Sequence, residues 1–385
     1  MLGRLVVATA TLLLASAAPA AAADAWDVPH SATITIDGHG HGHGRGLSQY
    51  GAKHAAEDGV GYREILDFYY RGTSWGTATG QVRIFLSRGD LGNTVQVEPK
   101  RGLVARAGGR SWDLTRAKPR AQRWRIVPKG AARSSLQYRR SGWHQYRSVA
   151  GTLEFAAKGK PITLDTQDGP MSYRGSVRSV PSSPGHRMAI NVLPMEAYLR
   201  GVVPAEVVAS TWPQQAQRAQ AVAARSYAAL KRSTRQDKPY DLDDTTSYQR
   251  YLGVDREWPA SDTAVAATAG KILTYGGEPA FTEFTASNGG WTVAGDAPYL
   301  QAREDPWDRT QAWEETLSDT DVESAWPSVG DLTHVEIAGR DGHGEWGGRA
   351  GTVTLTGTGG TVTVSGAAFA LRLGLASPWL TIRVS

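Results

Sequence analysis

Alternation governs the first half of the chain. Residues 31–36 (SATITI) place polar and apolar side chains in turn, and similar short runs recur through 81–187: QVRIFLS, TVQVEP, GLVARA, RWRIVP, GTLEFAA and PITLDT, each bounded by Gly, Pro or Asp. A period of two sends successive side chains to opposite faces, so these runs predict the strands of a β-rich region. The period changes over 190–230. There Ala216, Ala219, Ala223, Ser226 and Leu230 recur at three- and four-residue intervals behind Pro213. This predicts one long helix with a narrow small-residue stripe, closed by Lys231 and Arg232 where its dipole favours cations. Two short helices are expected over 53–70, with Ile65, Leu66, Phe68 and Tyr69 facing a core, and another over 261–269, stopped by Gly270. Residues 271–275 and 280–284 predict a hairpin across Gly276-Gly277. The final stretch, 351–385, reads as β-rich again. The expected class is α+β, a mixed helical core with β-rich accessory regions.

Composition narrows the setting. A length of 385 residues allows two or three domains. Residues 1–23 have the form of a secretory signal: Arg4, an apolar run over 5–14, then small residues with a cleavage site near Ala23. No later stretch is long and apolar enough to span a bilayer, so an exported protein is expected. The chain has no cysteine, which excludes disulfides, thiolate nucleophiles and thiolate zinc sites. The net charge of +5 is uneven: fourteen Lys or Arg lie between Lys100 and Arg147 against one acid, Asp113. Such a run either attracts an anionic polymer or is a solvated face. No nucleic-acid motif is visible, so nucleic acid is not an expected partner.

Candidate chemistry begins with Glu206, a lone carboxylate in VVPAEVVAS. Apolar neighbours disfavour its ionised form and suit it to hold a proton for donation; an ordinary Glu on a solvated turn is the plain alternative. Residues 37–52, DGHGHGHGRGLSQYGA, set Gly at alternate positions, letting the backbone approach another surface closely. The alternating His39, His41 and His43 admit a metal-binding reading, although no fourth ligand stands in the stretch. A phosphate-gripping loop would need a following Gly-Lys-Ser/Thr, which is missing. Asp244, Thr245, Thr246, Gln249 and Tyr251 cluster in DLDDTTSYQRYLG, as a sugar-hydroxyl surface or a capped turn. Asp305 and Asp308 in EDPWD either assist catalysis or close turns.

These segments together resemble the SpoIID/LytB family (stage II sporulation protein D). The resemblance rests on Leu193, Pro194, Glu196, Tyr198, Leu199, Gly201, Pro204 and Glu206, then Trp212, Pro213, Gln220, Arg225, Ser226 and Tyr227. A second signature takes His43, Gly44, Gly46, Leu47, Ser48, Gln49, Gly51 and Ala52; a third takes Ser287, Gly289, Gly290 and Thr292. The resemblance implies an exported lytic transglycosylase acting on peptidoglycan glycan strands. Glu206 is the implied acid/base, with His43, Ser48, Gln49, Gln220, Arg225, Tyr227, Asp244, Thr245, Gln249, Ser287, Gly289 and Gly290 at the substrate. For Arg225 a structural tie to a carboxylate stays open.

No metal or organic cofactor is implied, and the zinc loop of some relatives is not expected where Asn288 and Trp291 stand. Implied partners are the glycan strands, a wall amidase, and anionic wall polymers through the 100–147 region. Two other readings stand beside it: a non-catalytic wall-binding or amidase-enhancing module, and a hydrolase pairing Glu206 with Asp244 or Asp305. In the family the Gly/His segment is expected after a β-rich stretch, whereas here it comes first. This suggests a circular permutation, with LTIRVS lying beside SATITI. The expected division is a signal at 1–23, the Gly/His segment at 31–75, a β-rich accessory region at 76–189, the core at 190–310 and a second β-rich region at 311–385.

Overall fold

A computed structural model describes residues 23–385 apart from 90, 184 and 310; the expected signal lies outside the described residues except for Ala23. The chain is a mixed α+β protein made of two compact units, residues 40–311 and the segments flanking them.

The flanking unit joins 23–39 to 312–385. Thr33–His39 is the central strand of an antiparallel sheet, between Ala312–Ser318 and Leu380–Val384. The expected pairing of SATITI with LTIRVS is present, with Ile36 opposite Ile382, and Thr33 and Ser385 exchange backbone hydrogen bonds of 2.8 and 3.0 Å. A four-stranded sheet accompanies it, and Ile34, Ile36, Val335, Ile337, Val353 and Phe369 are buried between elements of the unit. The β-rich stretch 351–385 contributes three strands, Thr352–Gly357, Gly360–Ser365 and Leu380–Val384, and also one helix, Gly366–Leu373. Its signals are local: the Ser365 hydroxyl accepts from the Ala368 N–H, and Gly374 closes the end at φ +70°.

Within 40–311 the alternating segments build two sheets of seven and six strands. In the larger sheet Gln81–Phe85 lies between His186–Pro194, antiparallel, and Leu242–Asp243, parallel. His186–Pro194 leads straight into helix α1 (Met195–Glu206). Helix α2 (Gln214–Thr234) follows, with Pro213 as its N-cap. The stripe expected on α2 proves too narrow a description. Ala216, Ala219, Ala223 and Ser226 are buried, but so are Gln217, Gln220, Val222, Ala224, Arg225 and Ala228. Small side chains let neighbours approach from every side, and α2 becomes the central post of the unit. Ser226 binds the strand beside it, its hydroxyl accepting from the Leu273 N–H at 2.8 Å.

Gln49–Glu57 and Tyr62–Tyr69 are the expected pair of short helices, and both pack on α2. Lys271–Tyr275 does turn back through Gly276 and Gly277, at φ +60° and +87°, but its partner is only Glu278–Pro279. Phe284–Thr285 instead pairs in parallel with Leu47–Ser48, which brings the Gly/His loop and the third signature side by side. Ten of the fourteen cations of 100–147 are exposed on the strands and turns of this unit, as a solvated face would be.

Candidate active site

Glu206 is the last residue of α1 and is partly buried. Burial pushes its carboxyl above the ordinary value, against the opposing hydrogen bonds from the Arg250 N–H and the Gln49 amide. The negative end of α1 acts in the same direction as burial. Its two oxygens are not equivalent. Oε1 accepts from the Arg250 N–H at 2.7 Å, whereas Oε2 has only the Gln49 side-chain amide, at 3.5 Å. The loosely held Oε2 is therefore the oxygen suited to carry a transferable proton.

A cleft of about 420 Å3 opens over this carboxyl, lined by His41, His43, Arg45, Gln49, Tyr227, Thr246, Ser247, Tyr248 and Glu283 among others. His43 Nδ1 accepts from the Arg45 N–H at 3.0 Å, which orients the ring at the cleft. Gly46 explains how the loop comes so close. It sits at φ +67°, and a Cβ there would lie 1.9 Å from the Glu283 carbonyl oxygen. Burial pushes the Tyr227 phenol up, keeping it a neutral donor. The Lys231 ammonium lies 5.1 Å from the Tyr227 ring centre and 5.7 Å from that of Tyr248, which fixes both rings at the cleft.

Several residues expected at the substrate hold the site together instead. Ser48 is fully buried; its hydroxyl donates to Asp308 at 2.7 Å and caps the helix starting at Gln49 by accepting from the Gly51 N–H. Asp308 also accepts from the Ser287 hydroxyl and from the N–H groups of Asn288 and Gly289. Asp305 accepts from the Tyr69 hydroxyl and the Asn288 amide, both at 2.7 Å, and from the N–H groups of Trp307 and Asp308. Gly289 and Gly290, at φ +75° and +102°, let this turn wrap the aspartates. Ser48, Ser287, Gly289, Gly290, Asp305 and Asp308 thus form a buried knot that ties the Gly/His segment to the third signature.

Arg225 is likewise corrected. It has no exposed surface, and Glu196 grips it with both oxygens, at 2.9 and 2.7 Å. Gln249 is buried too, accepting from the Tyr198 hydroxyl and donating to the Ala224 carbonyl, which seats its loop on α1 and α2. That seating presents the Arg250 N–H to Glu206 and Thr246, Ser247 and Tyr248 to the cleft. Asp244 accepts from the Ser87 N–H, and Thr245 folds onto Asp243 as a turn; neither lines the cleft. Gln220 stands behind Gln49, accepting from its amide at 3.5 Å, and its own amide nitrogen is buried without a partner.

The cleft also holds residues that sequence reasoning passed over. Arg45 grips Glu283 with two bonds of 3.0 and 2.9 Å, setting a salt-bridged carboxylate in the wall of the cleft that holds the acid. The only linear hint was a charge inside one signature, in GHGRG, and another just ahead of the third, in FTEFT. His39 does not share a site with the other two histidines: its Nε2 meets Glu345 at 2.7 Å and its ring stacks on Trp346. Among the described residues no three His, Asp or Glu side chains gather as a metal site would require.

Comparison with known proteins places this segment. Residues 184–275, which carry α1, Glu206 and α2, match the family model described as stage II sporulation protein, SpoIID. The amidase enhancer of Bacillus subtilis is 36% identical over 158 residues, which is 37% of this chain and 21% of that protein. Stage II sporulation protein D of Bacillus subtilis is 29% identical over 186 residues, 43% of this chain and 54% of that one. An uncharacterised protein of Brachyspira hyodysenteriae is 33% identical over 177 residues, 41% and 48% of the two chains. The chain thus spans about half the length of these relatives, or less.

Proposed function

We propose that this chain is an exported lytic transglycosylase of peptidoglycan of the SpoIID/LytB kind, with Glu206 as its acid and base, a reading supported by the match of residues 184–275 to the stage II sporulation protein model. The names of its relatives point to the cell wall. The carrying observation is the state of Glu206: a carboxyl with a raised pKa, one oxygen anchored and the other loosely held, at a cleft lined by sugar-compatible donors. In the proposed reaction Glu206 Oε2 donates its proton to the oxygen linking N-acetylmuramic acid to N-acetylglucosamine, and the C1–O bond breaks. The resulting carboxylate takes the proton from the muramyl C6 hydroxyl, whose oxygen closes onto C1. One carboxyl serves both steps, no water is consumed, and the products are a 1,6-anhydro-muramyl end and a free N-acetylglucosamine hydroxyl.

A two-carboxylate hydrolase is less well supported. Asp305 is already committed to four donors and Asp244 lies outside the cleft, so neither is free to act opposite Glu206. Glu283 reaches the cleft, but Arg45 occupies both its oxygens. The non-catalytic reading keeps one specific support, the likeness to an amidase enhancer, and would make a wall amidase the partner.

Product analysis separates the three. Purified peptidoglycan incubated with the protein is expected to yield anhydro ends by mass. Glu206→Gln keeps an acceptor for the Arg250 N–H and is expected to fold normally while cleavage falls by at least about a thousandfold. Reducing ends would indicate a hydrolase, and binding without cleavage an accessory module. Full activity in Glu206→Gln would refute the assignment of the acid.

A further inference from the structure

Glu206 lines a second hollow that shares no other residue with the first. Its volume is about 500 Å3, and its walls include Ala205, Val207, Val208, Arg256 and Trp258. The two hollows differ in chemistry. The first is lined by His, Gln, Thr, Ser, aromatic rings and an ion pair; the second sets aliphatic groups and an indole beside the charged Asp255, Arg256 and Glu257. Val208 and Trp258 are 53% and 48% exposed, although large apolar side chains in this chain are otherwise mostly covered.

Trp258 is presented on rigid backbone. It precedes Pro259, which holds it extended at φ −134° and ψ 135°, and its carbonyl accepts from the Asp262 N–H and the Ser261 hydroxyl, both at 2.9 Å. The neighbouring Glu257 is clamped by Arg174 with two bonds of 2.6 Å and by Arg200 at 3.0 Å. A large apolar ring held at the rim of a hollow beside an acid is preorganised to bind.

We propose that Val208 and Trp258 form a pyranose-binding subsite, which takes the sugar on the opposite side of the scissile bond from the unit held by the Gly/His cleft. This inference rests on the reading of Glu206 as the proton donor. An acid that cuts inside a polymer needs the chain held on both sides of it, and Glu206 is the one residue common to both hollows. A pyranose ring has an apolar C–H face, which the flat indole can cover, and an N-acetyl methyl that suits Val208. The Arg256 guanidinium, exposed at the same hollow, supplies donors for hydroxyl or carboxyl groups at the ring's edge.

The test uses the full chain in its Glu206→Gln form, so that substrate is bound and not consumed, with peptide-free peptidoglycan octasaccharides titrated by calorimetry. Adding Trp258→Ala is expected to weaken octasaccharide binding by about ten- to thirtyfold, whereas Trp258→Phe, which restores a flat apolar face, stays within about threefold. In the active protein, Trp258→Ala is expected to raise KM with little change in kcat. An octasaccharide affinity unchanged by Trp258→Ala overturns the subsite, and so does a failure of Glu206→Gln to bind the octasaccharide at all. If Glu206→Gln still cleaves, it is the acid assignment that fails, whatever Trp258 does to affinity.

Discussion

Glu196→Ala is the substitution that most directly tests whether Arg225 is a structural tie. Arg225 is fully buried on α2, and Glu196, near the start of α1, meets it with two charge-assisted bonds of 2.9 and 2.7 Å. Glu196 Oε1 also accepts from the Gly270 N–H at 3.0 Å. Truncation to Ala therefore strands a buried guanidinium and a backbone donor together. What remains for Arg225 is weak: the carbonyls of Ala221, Lys271 and Val265 and the Thr268 hydroxyl, all at 3.2–3.4 Å. Removing one partner of a buried ion pair costs about 3–5 kcal/mol. The Glu196 side chain is 37% exposed, so water can enter the space it leaves, and the lower end, about 3 kcal/mol, applies. That loss multiplies the unfolding constant by a little over a hundred, about two factors of ten at 1.4 kcal/mol each.

Urea unfolding followed by tryptophan fluorescence measures the loss as a lower midpoint at unchanged slope. Replacing both partners, Glu196→Leu with Arg225→Met, should recover most of it, because no buried charge is then left unpaired. A Glu196→Ala protein within about 0.5 kcal/mol of wild type, inside the range of ordinary surface substitutions, would refute the tie. So would an Arg225→Lys protein of normal stability that no longer binds glycan.

Two further outcomes follow from the same geometry. Because burial raises the Glu206 pKa, the native state holds this proton to higher pH than the unfolded chain; the stability it contributes is complete below the ordinary value of 4.5 and lost as pH rises through the raised one. Glu206→Gln should therefore melt progressively higher relative to wild type across that rise, while wild-type cleavage falls over the same interval; parallel melting curves at every pH would contradict this. Gly46→Ala forces a left-handed residue with a Cβ 1.9 Å from a carbonyl oxygen, and is expected to cost about 2 kcal/mol or more and to lower cleavage with it. A thermal melt and a cleavage assay at wild-type values would show that the loop is not so closely held.

Much of this protein was legible in one dimension. Period-two runs marked the strands of 81–187, and the spacing of alanines marked α2. Glu206 stood out as a carboxylate among apolar neighbours, because desolvation depends largely on the residues beside it in the chain. Capping signals were equally local, and Ser365 with Gly374 announced a helix that the alternation before it obscured. The roles of other polar motif residues depended on partners that no local pattern identifies, in two cases more than two hundred positions away. Ser48 meets Asp308, Arg45 meets Glu283, and the sequence separations of 260 and 238 residues hide both pairs from any local pattern. Burial and hydrogen-bond partners are properties of packed surfaces. Only the tertiary structure could therefore decide that Ser48, Ser287, Arg225 and Gln249 brace the site while His43, Tyr227, Thr246 and Glu283 line it.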